Sequence, residues 1–473
     1  MENTRLIQLL RSFSAEEIKA FGKFVRSPYF NQRQETIRLF DCLEKPLRAG
    51  LPAPSKEQAF RVVFGPAPFD DHRIRMAMSF LFQQANRFLV VQDLLDDPAQ
   101  LALRLAGILR RRKLPGHARL VHTNSGEALH GQPLRHAEFQ QQRYQFLLEK
   151  YRWELDQQPA ALLSLQELSD QLDRSFLSRK LWQSCFMLSH QTMYNTRYDF
   201  GLLDAVLKYI ETDHLPEEEP AIAVYYYCYQ ALTNPGDRQA FQNFKRLLLR
   251  HHAVFPEDEL RDLYVLAINF CIRQYNAGNA GYLQEQFDLY REGLAKQYFL
   301  VEGVLSRYTY QNAATIGLVM HELDWVDAFI HRYRDKLPVP YRESLFSFNL
   351  ARLEYQRRRL DQALQLLQKA EYKDLLLHLA AKTLQLKIFY ELEAFDLLES
   401  HLQALQTFIR RKKALGYHRE NYLNTVLFTR KLLETNLFDK EARKALQMEI
   451  EQTKAVAEKE WLLERLTAFS APS

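Results

Sequence analysis

Two helical hairpins follow one another at a fixed offset within residues 343–413, and that repeat restricts the fold more than anything else in the chain. In "SLFSFNLARLEYQRRRLDQALQLLQKA", Leu350, Ala351, Leu360, Ala363, Leu367 and Ala370 fall at the spacing by which one helix turns back on the next. An offset of 35 residues carries Tyr355 to Tyr390, Leu360 to Phe395 and Ala363 to Leu398. The same step backward reaches Met320, Trp325 and Ala328. A period of this length is the mark of stacked helical hairpins. One hairpin cannot bury both of its apolar stripes, so its neighbours must cover them. The break at 358–360 is short, which makes the two helices antiparallel neighbours.

The fold class expected is therefore all-α: a right-handed α-solenoid of antiparallel hairpins behind an N-terminal helical module. The large and small positions named above match, in order, those of a tetratricopeptide repeat, and the segment resembles that family. It departs from the pattern at Glu354, where an aromatic is usual, and no proline follows the second helix. The next copy places Leu398 and Leu405 at the small positions, and the preceding one places Arg332 and Asp335 at apolar ones. Tetratricopeptide-like describes the match. The domains expected are an N-terminal module over 1–95, a helical-repeat array over 96–435 and a C-terminal capping helix over 436–473.

Composition agrees with a folded helical chain. At 473 residues, the length suits an elongated array or several domains better than one core. Apolar residues make up 47% and charged residues 26%, which excludes wholesale disorder. Leucine and glutamine outnumber the β-branched residues that favour strands. The net charge of +5, set against 63 basic and 58 acidic residues, gives little pull toward any acidic partner. No apolar run is long enough to span a bilayer, and "MENTRLIQLLRSF" is too often interrupted by charge for a signal peptide, so a cytoplasmic location is expected. Cys185, Cys228 and Cys271 recur at intervals of 43, each inside an apolar run. Metal ligands and disulfide partners must lie close together, so this even spacing reads as a small core residue at equivalent points of successive repeats.

Along the chain, Ser14 and Glu17 form a capping box that opens a helix with Ile18, Phe21, Phe24 and Val25 on one face. Ser27-Pro28 stops it. Asn31 is expected to cap the next helix, and Ser55 with Gln58 a third; a fourth spans about 71–91. The phrase Phe21-Gly-Lys-Phe24 with Ser27-Pro-Tyr-Phe-Asn31, taken with Arg411-Lys412-Lys413 and His418 to Leu423, resembles a Bacteroidetes-type family of helical-repeat proteins. That resemblance implies architecture and brings no activity or catalytic residue with it. "HTNSGEALHGQP" reads as the most loop-like interruption, "ETDHLPEEEP" as an acidic linker, and "AIAVYYYCYQAL" as a central buried helix. Residues 440–468 read as one final helix.

Chemistry-bearing patterns are absent. Neither a P-loop, a dinucleotide-binding glycine motif, an H-E-x-x-H nor a G-x-S-x-G occurs. His321-Glu322 lacks a second ligand, and His251-His252 sits at a helix end. No enzyme activity, cofactor or metal is expected. The candidate contacts are basic runs: Arg110, Arg111, Arg112 and Lys113; Arg357, Arg358 and Arg359; Arg410, Arg411, Lys412 and Lys413. Cations at a helix C-terminus complement its dipole, which gives them a structural motive. They could equally contact phosphate. The function expected is a non-enzymatic scaffold for a protein partner, with RNA or DNA binding through the basic runs as the alternative.

Overall fold

The computed structural model describes residues 1–157, 165–212, 219–412, 415–416 and 418–468. Among these the regular structure is helical, apart from one pair of two-residue strands, with short 3-10 turns and loops between the helices. It divides into two compact units, one of Met1–Phe186 with Tyr198–Tyr225 and one of Met187–Arg197 with Tyr226–Ser473.

The first unit opens with α1 (Arg5–Arg11), α2 (Ala15–Arg26), α3 (Gln34–Arg48), α4 (Lys56–Phe64) and α5 (Asp71–Asp96). Both expected capping boxes are present. Ser14 Oγ accepts from the Glu17 N–H at 3.1 Å while the Glu17 carboxylate accepts from the Ser14 N–H at 2.6 Å, and Ser55 pairs with Gln58 in the same way. Phe21 packs against both Phe40 and Phe88 at the centre of these helices, and Phe60 is buried in the same core. Gly22 lets the Phe40 ring approach to where a Cβ would stand 2.9 Å from it. Asn31 does not cap α3. Its amide donates to the carbonyl of Val25 at 2.9 Å, so it closes the end of α2 instead, and Arg33 stands at the N-cap with no capping side chain.

Asp97 ends α5 and caps the next helix by accepting from the Gln100 N–H, so the boundary expected near 95 is a single residue between helices. There follow α6 (Pro98–Arg111), α7 (Pro115–Gly131), α8 (Ala137–Gln157), α9 (Leu165–Tyr194), α10 (Leu203–Thr212) and α11 (Pro220–Thr233). The expected loop at 122–133 is instead the second half of α7. Ala118, His122, Ser125 and Leu129 recur at helical spacing and are buried, Ser125 Oγ donates to the Val121 carbonyl at 2.6 Å, and Gly126 admits the Phe146 ring. A buried face outweighs a polar composition. In α11, Ala221 to Tyr225 and Cys228 are all buried, as its apolar circumference predicts. Part of the acidic linker (213–218) and residues 158–164 lie outside the described residues. Cys185, Cys228 and Cys271 are buried and, among the described residues, joined in no disulfide; burial pushes the Cys271 thiol up to about 12.

The second unit continues with α12 (Arg238–Arg250), α13 (Glu257–Asn276) and α14 (Tyr282–Ala295). Next is a tight hairpin of β1 (Leu300–Val301) and β2 (Val304–Leu305), turned by Glu302 and Gly303 at positive φ. Three antiparallel pairs come after it: α15 (Arg307–Val319) on α16 (Leu323–Tyr333), α17 (Arg342–Gln356) on α18 (Leu360–Lys369), and α19 (Leu375–Glu391) on α20 (Phe395–Arg411). The first helices of consecutive pairs also pack together, α15 on α17 and α17 on α19. The chain ends with α21 (His418–Glu434), α22 (Lys440–Gln452) and α23 (Lys459–Ala468). Residues 440–468 are thus two helices rather than one. Lys459 Nζ donates to the carbonyls of Glu451 and Thr453, closing α22 so that Trp461 and Leu462 can turn into the core.

The turns of the three pairs are alike. His321, Arg358 and Glu393 each adopt positive φ (56°, 61° and 55°). The N–H of the following residue reaches back to the carbonyls of Gly317, Glu354 and Phe389 at 2.9, 2.9 and 3.0 Å, the Schellman helix ending. These turns fix the true register: 37 residues separate the first two and 35 the second two. The backward step of 35 was therefore two residues short, because the link from α16 to α17 carries two 3-10 turns that the link from α18 to α19 lacks. In the corrected register Val326, Ala363 and Leu398 are equivalent, as are Ile330, Leu367 and Leu402, and all six are buried. The anomaly at Arg332 and Asp335 disappears, because Ile330 and Tyr333 take the apolar positions instead.

Candidate functional site

Thr315, Arg352 and Lys387 each stand six residues before the turn of their pair, so they are equivalent positions on α15, α17 and α19. All three line one cavity of about 450 Å³. Its walls include Phe348, Leu384 and Tyr355, and Glu458, from the bend between α22 and α23, closes one end. The sequence places polar side chains at this position because the opposite face of each first helix is packed against its own hairpin partner and the adjoining first helices.

The two cations are held differently. Arg352 Nη1 donates to Thr315 Oγ1 at 2.8 Å and to Asn349 Oδ1 at 3.5 Å, both neutral. Among the described residues no carboxylate forms an ion pair with it. Burial pushes its guanidinium down to about 10, with Glu458 partly opposing the shift. Lys387 Nζ is 3.1 Å from the Glu458 carboxylate and lies 5.1 Å from the centre of the Tyr355 ring. The Tyr355 hydroxyl donates to Glu391, and burial, then that carboxylate, pushes its pKa upward. A half-buried guanidinium hydrogen-bonded only to neutral acceptors, in a cavity of mixed polar and apolar walls, is suited to hold a carboxylate or a row of carbonyls.

The basic runs are mostly spoken for inside the chain. Arg357 bridges Asp327 on α16 at 2.7 Å and Glu354 at 3.2 Å; Arg358 reaches Glu391 on α19 at 2.6 Å; Arg359 reaches Glu354 at 3.2 Å. One turn thereby clasps both neighbouring pairs. Arg110 is tied to Glu149 at 2.6 Å and Asp156 at 3.4 Å. Arg111, Arg112 and Lys113 are exposed, Lys113 at positive φ in the turn after α6. Arg410, Arg411 and Lys412 end α20, exposed, with Lys412 Nζ 5.5 Å from the Phe408 ring centre. Lys413 lies outside the described residues, as does Tyr417, and Tyr422 is half-buried against the core of α19 to α23. Among the described residues no hydrogen bond or ion pair joins the Arg357 run to the Arg410 run.

His252 Nδ1 bonds the Leu249 carbonyl at 2.9 Å. Among the described residues no group of three or more His, Cys, Asp and Glu side chains could hold a metal, and no described helix is long and apolar enough to cross a membrane. Compared with known proteins, the chain matches no family model and no curated sequence. Arg352 and Lys387 were not singled out from sequence. Their signal was there: each is a cation within an apolar stretch, and they lie 35 residues apart.

Proposed function

We propose that the chain is a non-enzymatic scaffold that holds a segment of a protein partner along α15, α17 and α19. In this reading the three helix pairs are turns of a right-handed, tetratricopeptide-like solenoid, and the cavity under Arg352 and Lys387 is part of its inner groove. One observation carries it: equivalent positions of successive first helices present Thr315, Arg352 and Lys387 to a single cavity, and among the described residues Arg352 pairs with no carboxylate. An extended segment crossing these helices would meet one such side chain per pair, with Phe348 and Leu384 offering apolar contact between them. A carboxylate on the segment would pair with Arg352. We place the protein in the cytoplasm, in keeping with four cysteines that form no disulfide among the described residues.

Nucleic-acid binding is the second reading, and the exposed Arg111, Arg112, Arg410, Arg411 and Lys412 favour it. It draws no support from Arg110 or from Arg357 to Arg359, whose charges are already neutralised within the chain. The test is an affinity capture from native lysate, divided into nuclease-treated and untreated halves. A defined protein retained after nuclease treatment, and lost with Arg352→Met, sustains the scaffold reading. Recovery of RNA or DNA that is lost when Arg410, Arg411 and Lys412 become Ala overturns it.

A further inference from the structure

The N-terminal five helices carry a second cavity, of about 240 Å³, between the start of α3 and the first turns of α5. Arg33, Glu35 and Thr36 border it from α3, His72, Arg73, Met76, Ala77 and Phe80 from α5, and Phe64 from the end of α4. Three features of it converge on an anion. The Arg33 guanidinium carbon stands over Phe80, 3.6 Å from the ring centre, and that of Arg73 stands over Phe64 at 4.4 Å. Neither guanidinium has an ion-pair partner among the described residues, so ring stacking fixes both and leaves their N–H edges available.

Next, α3 is a 15-residue helix that begins with no capping side chain, so the positive end of its dipole and its first N–H groups point outward beside Arg33. Independently, Thr36 is fully buried and its Oγ1 has no hydrogen-bond partner among the described residues. At the third position of the helix, its fourth-preceding carbonyl belongs to Gln32, outside the helical turn, so the usual back-bond is not made. A buried hydroxyl without a partner is costly unless something else supplies one.

We propose that this cavity binds a phosphomonoester carried on an apolar or aromatic stem. The donors decide between phosphate and carboxylate. Two guanidinium edges, a hydroxyl and the first-turn N–H groups exceed the about four lone-pair sites of a carboxylate, whereas three phosphate oxygens can accept them all. A phosphomonoester carries a charge of about −1.5 to −2 at neutral pH, which Arg33 and Arg73 offset. Met76, Ala77 and Phe80 form the apolar side that receives the stem. This site is separate from the α15–α19 cavity and does not depend on the scaffold reading.

The test is calorimetric titration of the full chain with phenyl phosphate, inorganic phosphate and benzoate at one ionic strength. Phenyl phosphate saturates the site and binds at least roughly tenfold tighter than either of the others, because benzoate has the stem without the phosphate's third oxygen and second charge, and inorganic phosphate lacks the stem. Arg33→Ala and Arg73→Ala each weaken it by roughly tenfold or more, and Arg33→Lys and Arg73→Lys weaken it less, since lysine keeps the charge and loses the fork. Arg75→Ala, on the same helix but paired with Asp71, leaves binding unchanged. Thermal melts of each variant confirm that it is folded. A phosphotyrosine peptide that binds tighter than phenyl phosphate assigns the phosphate to a protein segment, and equal affinity assigns it to a small molecule; both uphold the site. Absence of saturation, equal binding of benzoate, or full affinity in the folded Arg33→Ala and Arg73→Ala variants would overturn the proposal.

Discussion

The Arg358 guanidinium donates to the Glu391 carboxylate at 2.6 Å, joining the turn of one helix pair to the last residue of the next pair's first helix. The Glu391 side chain is only 6% exposed and also accepts from the Tyr355 hydroxyl, with Arg465 and the Trp461 indole N–H each 3.5 Å away. Replacing it removes the shared acceptor of four donors. Glu391→Ala should therefore destabilise the chain by about 2–4 kcal/mol, the range for a buried charge network deprived of one member. Arg358→Ala should cost less than about 1 kcal/mol, because that side chain is 68% exposed. Urea unfolding of the two variants checks the ordering, and equal losses would show that Glu391 is not the hub.

The three Schellman turns offer a comparison among themselves. A side chain at positive φ costs about 1–2 kcal/mol relative to glycine, partly offset by glycine's freer unfolded chain. His321 and Glu393 are exposed, and among the described residues no side-chain hydrogen bond or ion pair holds either. His321→Gly and Glu393→Gly should raise the unfolding midpoint by an amount worth roughly 0.5–1 kcal/mol. Arg358→Gly gains the same relief and loses the Glu391 pair, so it should be neutral or destabilising. Denaturant midpoints of the three variants decide this.

Much of the local structure was legible because it is encoded locally. Ser14 with Glu17 and Ser55 with Gln58 satisfy helix N-termini within three residues, so their capping boxes can be read without knowing the fold. Asn31 was misread because its amide N–H reaches back to the Val25 carbonyl, while its Oδ1 accepts from the Arg33 N–H, one residue short of the helix. The second half of α7 has a loop-like composition, and only its packing against α6 and α8 makes it helical. The repeat itself was visible, but its register slipped by two where a longer link intervenes, which no fixed period can reveal. The cavity residues were hidden for another reason. Arg352 and Lys387 gain meaning only once Thr315, Arg352 and Lys387 are known to be equivalent, and that needs the turns at His321, Arg358 and Glu393.

Gly317 tests the closeness of α15 and α16. A Cβ built there would stand 2.5 Å from Val326 Cγ2 and 3.1 Å from the Trp325 ring. Gly317→Ala should lose about 1–3 kcal/mol by overpacking, in spite of alanine's better helix propensity. The same substitution at Gly116, where nothing stands within 4 Å of the added Cβ, should not destabilise. Thermal melts of both variants give the contrast.

His122 makes the first unit sensitive to acid. It is 6% exposed between α6, α7 and α8, and neither ring nitrogen has a hydrogen-bond partner among the described residues. The Phe146 and Trp153 rings face it. Burial pushes its pKa down, Glu149 opposes the shift, and Lys150 and Arg110 add to it. A base whose folded pKa is depressed takes up its proton first in the unfolded chain. Its contribution is therefore intact above the unfolded value near 6.5 and is lost as pH falls through that value. His122→Phe should flatten the fall in urea midpoint between pH 7.5 and 5.5, and an unchanged slope would clear His122 of the effect.

The cavity at α15 to α19 separates partner binding from stability. Arg352 sits among neutral acceptors, so Arg352→Met keeps the apolar stem and sheds a desolvated charge, leaving stability unchanged or slightly higher. Lys387→Met is different: it strands Glu458, whose carboxylate is its partner at 3.1 Å, and should cost about 0.5–1.5 kcal/mol. If a partner's carboxylate rests on Arg352, the first variant loses at least roughly tenfold in affinity while its melting temperature holds. The second should lose less affinity and more stability, because Lys387 already has an acceptor within the chain. Capture of the partner by each variant, measured beside its thermal melt, distinguishes the two roles, and partner affinity that survives Arg352→Met would remove this cavity from the interface.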